Sequence, residues 1–168
     1  DHLNLQNKNY FVITLHRPAN VDGAEKLKAL LLEIINNANN LPIIFPIHPR
    51  TAKIFSAIGI QADNLIITDP LGYLEFNYLV KNAKAVITDS GGITEETTVM
   101  GVPCITLRDN TERPETVITG TNELIGTDPK AIRPAFEKLF SGNWKKGEQP
   151  QLWDGKSAER IVQCLLNL

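Results

Sequence analysis

A chain of 168 residues with 17 basic and 19 acidic side chains, and a net charge of −2, is long enough to bury a core as one domain spanning 1–168. Its composition, 42% hydrophobic and 21% charged, is that of an ordinary globular protein, and without a basic cluster a general nucleic-acid partner is excluded. Apolar runs are only a few residues long and no signal-peptide pattern occurs, so no membrane partner and a cytoplasmic location are expected.

The chain opens on Asp1, not Met, and enters an apolar run at Tyr10, which predicts a piece of a longer polypeptide. A strand over 10–15 ends on His16-Arg17, and a helix over 24–37 carries Leu27, Leu30, Leu31, Ile34 and Ile35 on one face. A second strand, 43–47, ends on His48-Pro49-Arg50 and leads into a helix over 51–58. Strands over 65–68 and 85–88 bracket a helix over 72–81, and Ser90-Gly91-Gly92 then opens a helix over 93–100. Beyond a strand at 104–107 come Arg108-Asp109, Thr111-Glu112-Arg113 and a short helix, 113–118. A weak strand over 123–125 precedes a helix over 129–140, announced by Asp128-Pro129. The polar, turn-rich segment 143–155 crosses the surface to a last helix, 157–166.

Strands alternating with helices, and apolar on both faces, predict a doubly wound, Rossmann-like α/β domain with a parallel sheet. Such folds bind ligands beyond the carboxyl ends of their strands, where the polar motifs fall. Glycines between strand and helix leave backbone N–H groups free at a helix N-terminus, and the dipole there favours phosphate. The bland alternative is a tight strand-to-helix turn. Glu95 and Glu96 fall in the first helical turn on this reading. They point about 100° apart, so one faces a ligand while the other is solvated or caps the helix. His16, at a strand end, can exchange protons near neutral pH, or can be a ring satisfied in its loop. For His48, a ligand contact and a structural hydrogen bond stand equal. Arg113 can grip a phosphate or carboxylate, or pair with Glu112 or Glu115. His2 is set aside. Cys104, in a strand, and Cys164, in the last helix, are expected as reduced core residues. No zinc spacing, Gly-x-Gly-x-x-Gly or Walker loop occurs, so neither a metal nor a cofactor is expected.

Taken together, the runs 14–22 (TLHRPANVD), 46–50 (PIHPR), 88–96 (TDSGGITEE), 101–103 (GVP) and 108–116 (RDNTERPET) closely resemble the non-hydrolysing UDP-N-acetylglucosamine 2-epimerase family. They occur in family order across about two thirds of the chain. The resemblance implies a two-domain glycosyltransferase-B arrangement, with this chain as the C-terminal domain and substrate in the cleft. By resemblance, Ser90, Gly91 and Gly92 hold the diphosphate of UDP or UDP-GlcNAc and Glu96 the ribose, with Glu95 turned away. Arg113 and His48 line the cleft, Arg17 binds substrate, and His16 is catalytic. The reaction implied is inversion at C2 of UDP-GlcNAc to UDP-ManNAc, by elimination and re-addition of UDP. The acidic acid/base residues belong to the absent N-terminal domain, so the piece alone is expected to be inactive; full-length relatives are typically homodimers. Ala19 stands where the family usually has Glu, so a carboxylate that could orient the His16 loop is missing. The rivals are a hydrolysing 2-epimerase or a transferase of the same build, and a non-catalytic nucleotide-binding module.

Overall fold

The computed structural model describes residues 5–167; His2 lies outside them. Six parallel strands form one sheet: β1 (Phe11–Thr14), β2 (Ile43–Pro46), β3 (Leu65–Thr68), β4 (Ala85–Thr88), β5 (Cys104–Thr106) and β6 (Asn122–Leu124). Their order is β3-β2-β1-β4-β5-β6, with Phe11 opposite Ile43 on one side and Ala85 on the other. Chain order therefore reverses between β1 and β4, and the loops leaving these two strands frame the crevice where doubly wound sheets take ligands.

The strand period of two sorts the core into two layers. Phe11, Ile13, Phe45 and Ile87 face one side, against Leu27, Leu30 and Ile34 of α2 (Ala24–Asn37) and Phe136 of α7 (Ile132–Phe140). Tyr10, Val12, Ile44 and Val86 face the other, with Leu79 and Val80 of α4 (Tyr73–Lys81) and Val102 behind α5 (Gly91–Met100). The set is completed by α1 (Pro18–Val21), α3 (Pro49–Ile58), α6 (Pro114–Ile118) and α8 (Ser157–Leu166).

Several boundaries differ from the sequence reading for identifiable reasons. The four-residue α1 is too short to show a period, and its signal is Pro18 at the first helical position. Pro49 likewise starts α3 two residues earlier than expected. Pro134 has no N–H for a fourth-residue bond back to Lys130, and the expected single helix begins as a 3₁₀ turn, Pro129–Ala131. The last strand is shifted one residue, to Asn122–Leu124. Cys164 corrects an expectation. It lies exposed on α8, which buries none of its residues and shows Ile161, Val162, Leu165 and Leu166 to solvent. Cys104 is buried as expected, and burial pushes its thiol up to about 11, which keeps it protonated and unreactive.

The segment after α7 is strapped to the domain. Trp144 Nε1 donates to the Thr121 carbonyl at 2.9 Å, and the Glu148 N–H to that of Thr119 at 2.8 Å. The strap comes so close that a Cβ on Gly147 would lie 2.7 Å from the backbone carbon of Gly120, and Gly147 has φ of +63°. Gly147→Ala meets both a backbone wall and left-handed strain, and is expected to cost more than about 2 kcal/mol in denaturant unfolding. A loss under half that would mean that the strap can lift away.

Candidate functional site

The sharpest polar cluster lies where β1 and β4 end. Asp89, wholly buried, follows β4, and its carboxylate reaches across to the loop leaving β1. Its Oδ2 accepts the backbone N–H of Arg17 at 3.0 Å and Asn20 Nδ2 at 3.1 Å. Its Oδ1 lies 3.1 Å from His16 Nδ1, and the His16 N–H is shared between both oxygens at 3.2 Å. Arg17 Nε donates to the Asp89 carbonyl at 2.9 Å, fixing the root of the guanidinium. One residue further, Ser90 precedes α5; its N–H donates to Thr88 Oγ1 and its side chain makes no cap bond.

The helix starts at Gly91, two residues before the expected 93, which changes what the glycines do. They form the first turn themselves, so the N–H groups of Gly91, Gly92 and Ile93 have no intrahelical acceptor. A Cβ on Gly92 would meet nothing within 4 Å, so the space in front of this turn is open. Three donors at a positive helix end suit a phosphate, and the Arg108–Glu112 pair borders them on the Gly91 side, 3.8 and 3.9 Å from where a Cβ would stand.

The earlier start also moves both glutamates into the second turn, about 6–8 Å along the axis from Gly91. There they edge an open groove of about 770 Å³ between α5, α4 and the strap, with Tyr73, Arg113 and Trp153 on its walls. Glu95, expected to turn away, instead lines this groove and forms an ion pair with Arg113 Nε. That corrects the choice of Glu112 or Glu115 as the structural partner of Arg113. Burial raises the Glu96 carboxyl above the usual carboxylate range, and adjacent Glu95 raises it further. Glu112 pairs instead with the buried Arg108, whose fork holds that carboxyl down to about 2.

His48 lies two residues beyond β2 and is exposed; its Nδ1 accepts the N–H of Arg50 at 3.3 Å, capping α3. Arg50 in turn pairs with Asp22 at 2.8 Å, tying this loop to the one after α1. The structural hydrogen bond weighed for His48 is therefore present. The predicted residues fall into two adjoining groups along α5: His16, Arg17, Ser90 and the glycine turn at its start, and Glu96 with Arg113 one turn on. His48 stands apart at the neighbouring strand end. Asp89, Asn20 and the Arg113–Glu95 pair are the parts that sequence reasoning did not assign. Asp89 and Asn20 sat inside quoted motifs, yet nothing in the chain says that they meet.

A parallel sheet in the order 3-2-1-4-5-6, with its polar residues at the carboxyl edge of the switch point, defines a Rossmann-like domain. The family model of UDP-N-acetylglucosamine 2-epimerase matches residues 1–166. The UDP-N-acetylglucosamine 2-epimerase of Methanococcus maripaludis is 45% identical over 167 residues, which are 95% of this chain and 45% of that protein. The crystal structure of the Methanocaldococcus jannaschii UDP-GlcNAc 2-epimerase in complex with UDP-GlcNAc and UDP superposes with a TM-score of 0.81 at 44% identity, covering 95% of this chain and 45% of that one. An Escherichia coli heptosyltransferase with ADP, 15% identical at a TM-score of 0.56 over 84% of this chain and 46% of that one, shares the fold alone. The chain belongs to the UDP-N-acetylglucosamine 2-epimerase family. It spans about half the length of the curated relatives it matches and corresponds to their C-terminal half. Among the described residues, no helix is long and apolar enough to cross a membrane.

Proposed function

We propose that this chain is the UDP-binding domain of an enzyme that interconverts UDP-GlcNAc and UDP-ManNAc by eliminating UDP and adding it back. The observation that carries the reading is the open glycine turn at the start of α5, with two carboxylates one helical turn further on. The N–H groups of Gly91, Gly92 and Ile93, with Ser90 Oγ, hold the diphosphate. The distance along α5 matches the reach from a diphosphate to its ribose, whose hydroxyls donate to Glu96. Arg113, released from Glu95 by an incoming anion, and Arg17 add positive charge, and His48 borders the cleft. His16 meets the departing phosphate oxygen, giving it a hydrogen bond or a proton as the C1–O bond breaks. Charge builds on UDP in that step, and groups preset to receive it lower the barrier.

Removing the weakly acidic C2 proton needs a base that this chain does not provide; an N-terminal domain supplies it across the cleft. The working enzyme is a homodimer of such two-domain chains, needing no metal or cofactor. It sits in the cytoplasm, where thiols such as Cys104 and Cys164 stay reduced.

Calorimetric titration of the 168-residue chain with UDP tests the pocket. Ser90→Ala and Glu96→Gln are each expected to weaken binding about tenfold, one charge-assisted hydrogen bond's worth. The raised Glu96 carboxyl gains its proton earlier than an ordinary glutamate as pH falls, so wild-type affinity declines more steeply on the acidic side than that of Glu96→Gln, in which only the titration of UDP's own terminal phosphate remains. The unmodified chain should produce no UDP-ManNAc in a coupled assay. Unchanged affinity in both variants would refute the pocket, and turnover by the chain alone would refute the shared active site.

A further inference from the structure

β5 runs beside β4 with Thr106 opposite Thr88, so Arg108, two places beyond β5, emerges level with the start of α5. Its backbone is held on both sides: the Leu107 N–H donates to the Thr88 carbonyl at 2.8 Å, and the Gly126 N–H to the Arg108 carbonyl at 3.0 Å. The side chain is only 5% exposed, and its fork closes on both oxygens of Glu112, Nη1 to Oε2 at 2.9 Å and Nη2 to Oε1 at 2.7 Å. Cβ atoms of a helix tilt toward its N-terminus, so a Cβ on Gly91 marks the anion's side of the turn. Both Arg108 Nη1 and Glu112 Oε2 lie within 4 Å of that point, which puts the pair at the mouth of the glycine turn.

The two partners are unequal. A buried guanidinium needs a counter-charge at all times, because an unpaired charge away from water is costly. Glu112 is 66% exposed, lies in the loop between β5 and α6, and among the described residues its side chain accepts from Arg108 alone. It can swing out and recover its hydration. Asp89 cannot, being wholly buried under the backbone N–H groups of His16 and Arg17 and the amide of Asn20. Besides the Arg108 hydrogen bonds, the charge of Arg17 also acts on Glu112. Two guanidinium groups and two carboxylates thus cancel at this edge while Glu112 is in place. With Glu112 out, one positive charge is uncovered, and its planar fork suits two phosphate oxygens as it suits a carboxylate.

We propose that Arg108 is a further binding residue of the diphosphate site, and that Glu112 is a built-in stand-in for the ligand, a carboxylate that closes the Arg108 fork until the diphosphate takes its place. This rests on the glycine turn being where the diphosphate binds. Exchanging one anion for another keeps Arg108 paired at every stage. The net grip on UDP is weaker in return, since each binding event must first displace the carboxylate.

In the full-length enzyme, Glu112→Gln removes the competing charge and should tighten UDP binding about three- to tenfold by calorimetry. Arg108→Gln should weaken it about tenfold or more. On that background Glu112→Gln should shift affinity by less than about twofold, because no fork remains to contest. An affinity left unchanged by Glu112→Gln alone overturns the proposal, and so does a weaker one, which would make the carboxylate a prop for the fork. Tightening that survives without Arg108 also overturns it, since Glu112 would then act only through its charge at a distance. If Arg108→Gln does not fold, a crystal structure of the wild type with UDP decides. The Arg108 fork should lie on phosphate oxygens with Glu112 swung out to solvent. UDP at the turn over an intact Arg108–Glu112 pair overturns this proposal alone. UDP bound away from the turn, or not at all, overturns the reading of the turn itself and this proposal with it.

Discussion

His16→Asn in the full-length enzyme is expected to lower kcat about 10²–10⁴-fold, the range for one positioned proton-transfer group, with UDP affinity nearly unchanged. Asparagine is the informative replacement. Its amide can donate to Asp89 Oδ1, which lies 3.1 Å from the ring Nδ1, so the loop keeps its anchor and only the imidazole's chemistry is lost. The backbone N–H bonds of His16 and Arg17 to Asp89 are independent of the side chain, and His16 is exposed, so folding should be unaffected. Progress curves from UDP-GlcNAc, alongside UDP titrations, separate the two effects. A variant within threefold of wild-type kcat would remove His16 from the chemistry and leave this half of the enzyme a binding module.

Phe136→Ala carries the largest stability effect, about 3–5 kcal/mol. Phe136 is 1% exposed and its ring lies 5.0 Å from Phe11 on β1 and 6.3 Å from Phe140, so truncation opens a cavity beneath the central strand. At this size the melting temperature should fall by about 6–20 °C. UDP affinity measured well below the transition should be unaffected, because Phe11 packs on the α7 face of the sheet while the ligand edge is held by Asp89 and the Thr14–Thr88 hydroxyl pair at 2.7 Å. A loss under 1 kcal/mol would mean that Phe11 and Phe140 close over the space. An affinity that fell with stability would mean that the core layer and the ligand edge are coupled.

The chain wrote its architecture in local, repeated signals. β1 and β2 read as strands because Tyr10–Ile13 and Ile43–Phe45 are short apolar runs, which the structure divides between two buried layers, and α2 reads as a helix because its leucines repeat every three to four residues. Gly59 and Gly101, both left-handed in the structure, marked where α3 and α5 stop. The signals failed where elements were too short or had no partner to read. α1 has four residues, and α8 has an amphipathic pattern indistinguishable in sequence from that of a buried helix, although none of its residues is buried. The site was legible as a list of residues at one sheet edge. Its internal pairing was not.

The sequence alone determined the doubly wound class, the glycine turn and the family, because each depends on residue type at short spacing: period, glycine between strand and helix, and motif. Tertiary structure decided which of those residues act on one another. It brought Asp89 against a loop 72–73 positions away, turned Glu95 toward Arg113, and gave Arg108 rather than Arg113 to Glu112. The reason is that β1 and β4 are neighbours only through a crossover that returns the chain past two other strands. A contact made that way leaves no periodic trace in the residues that make it.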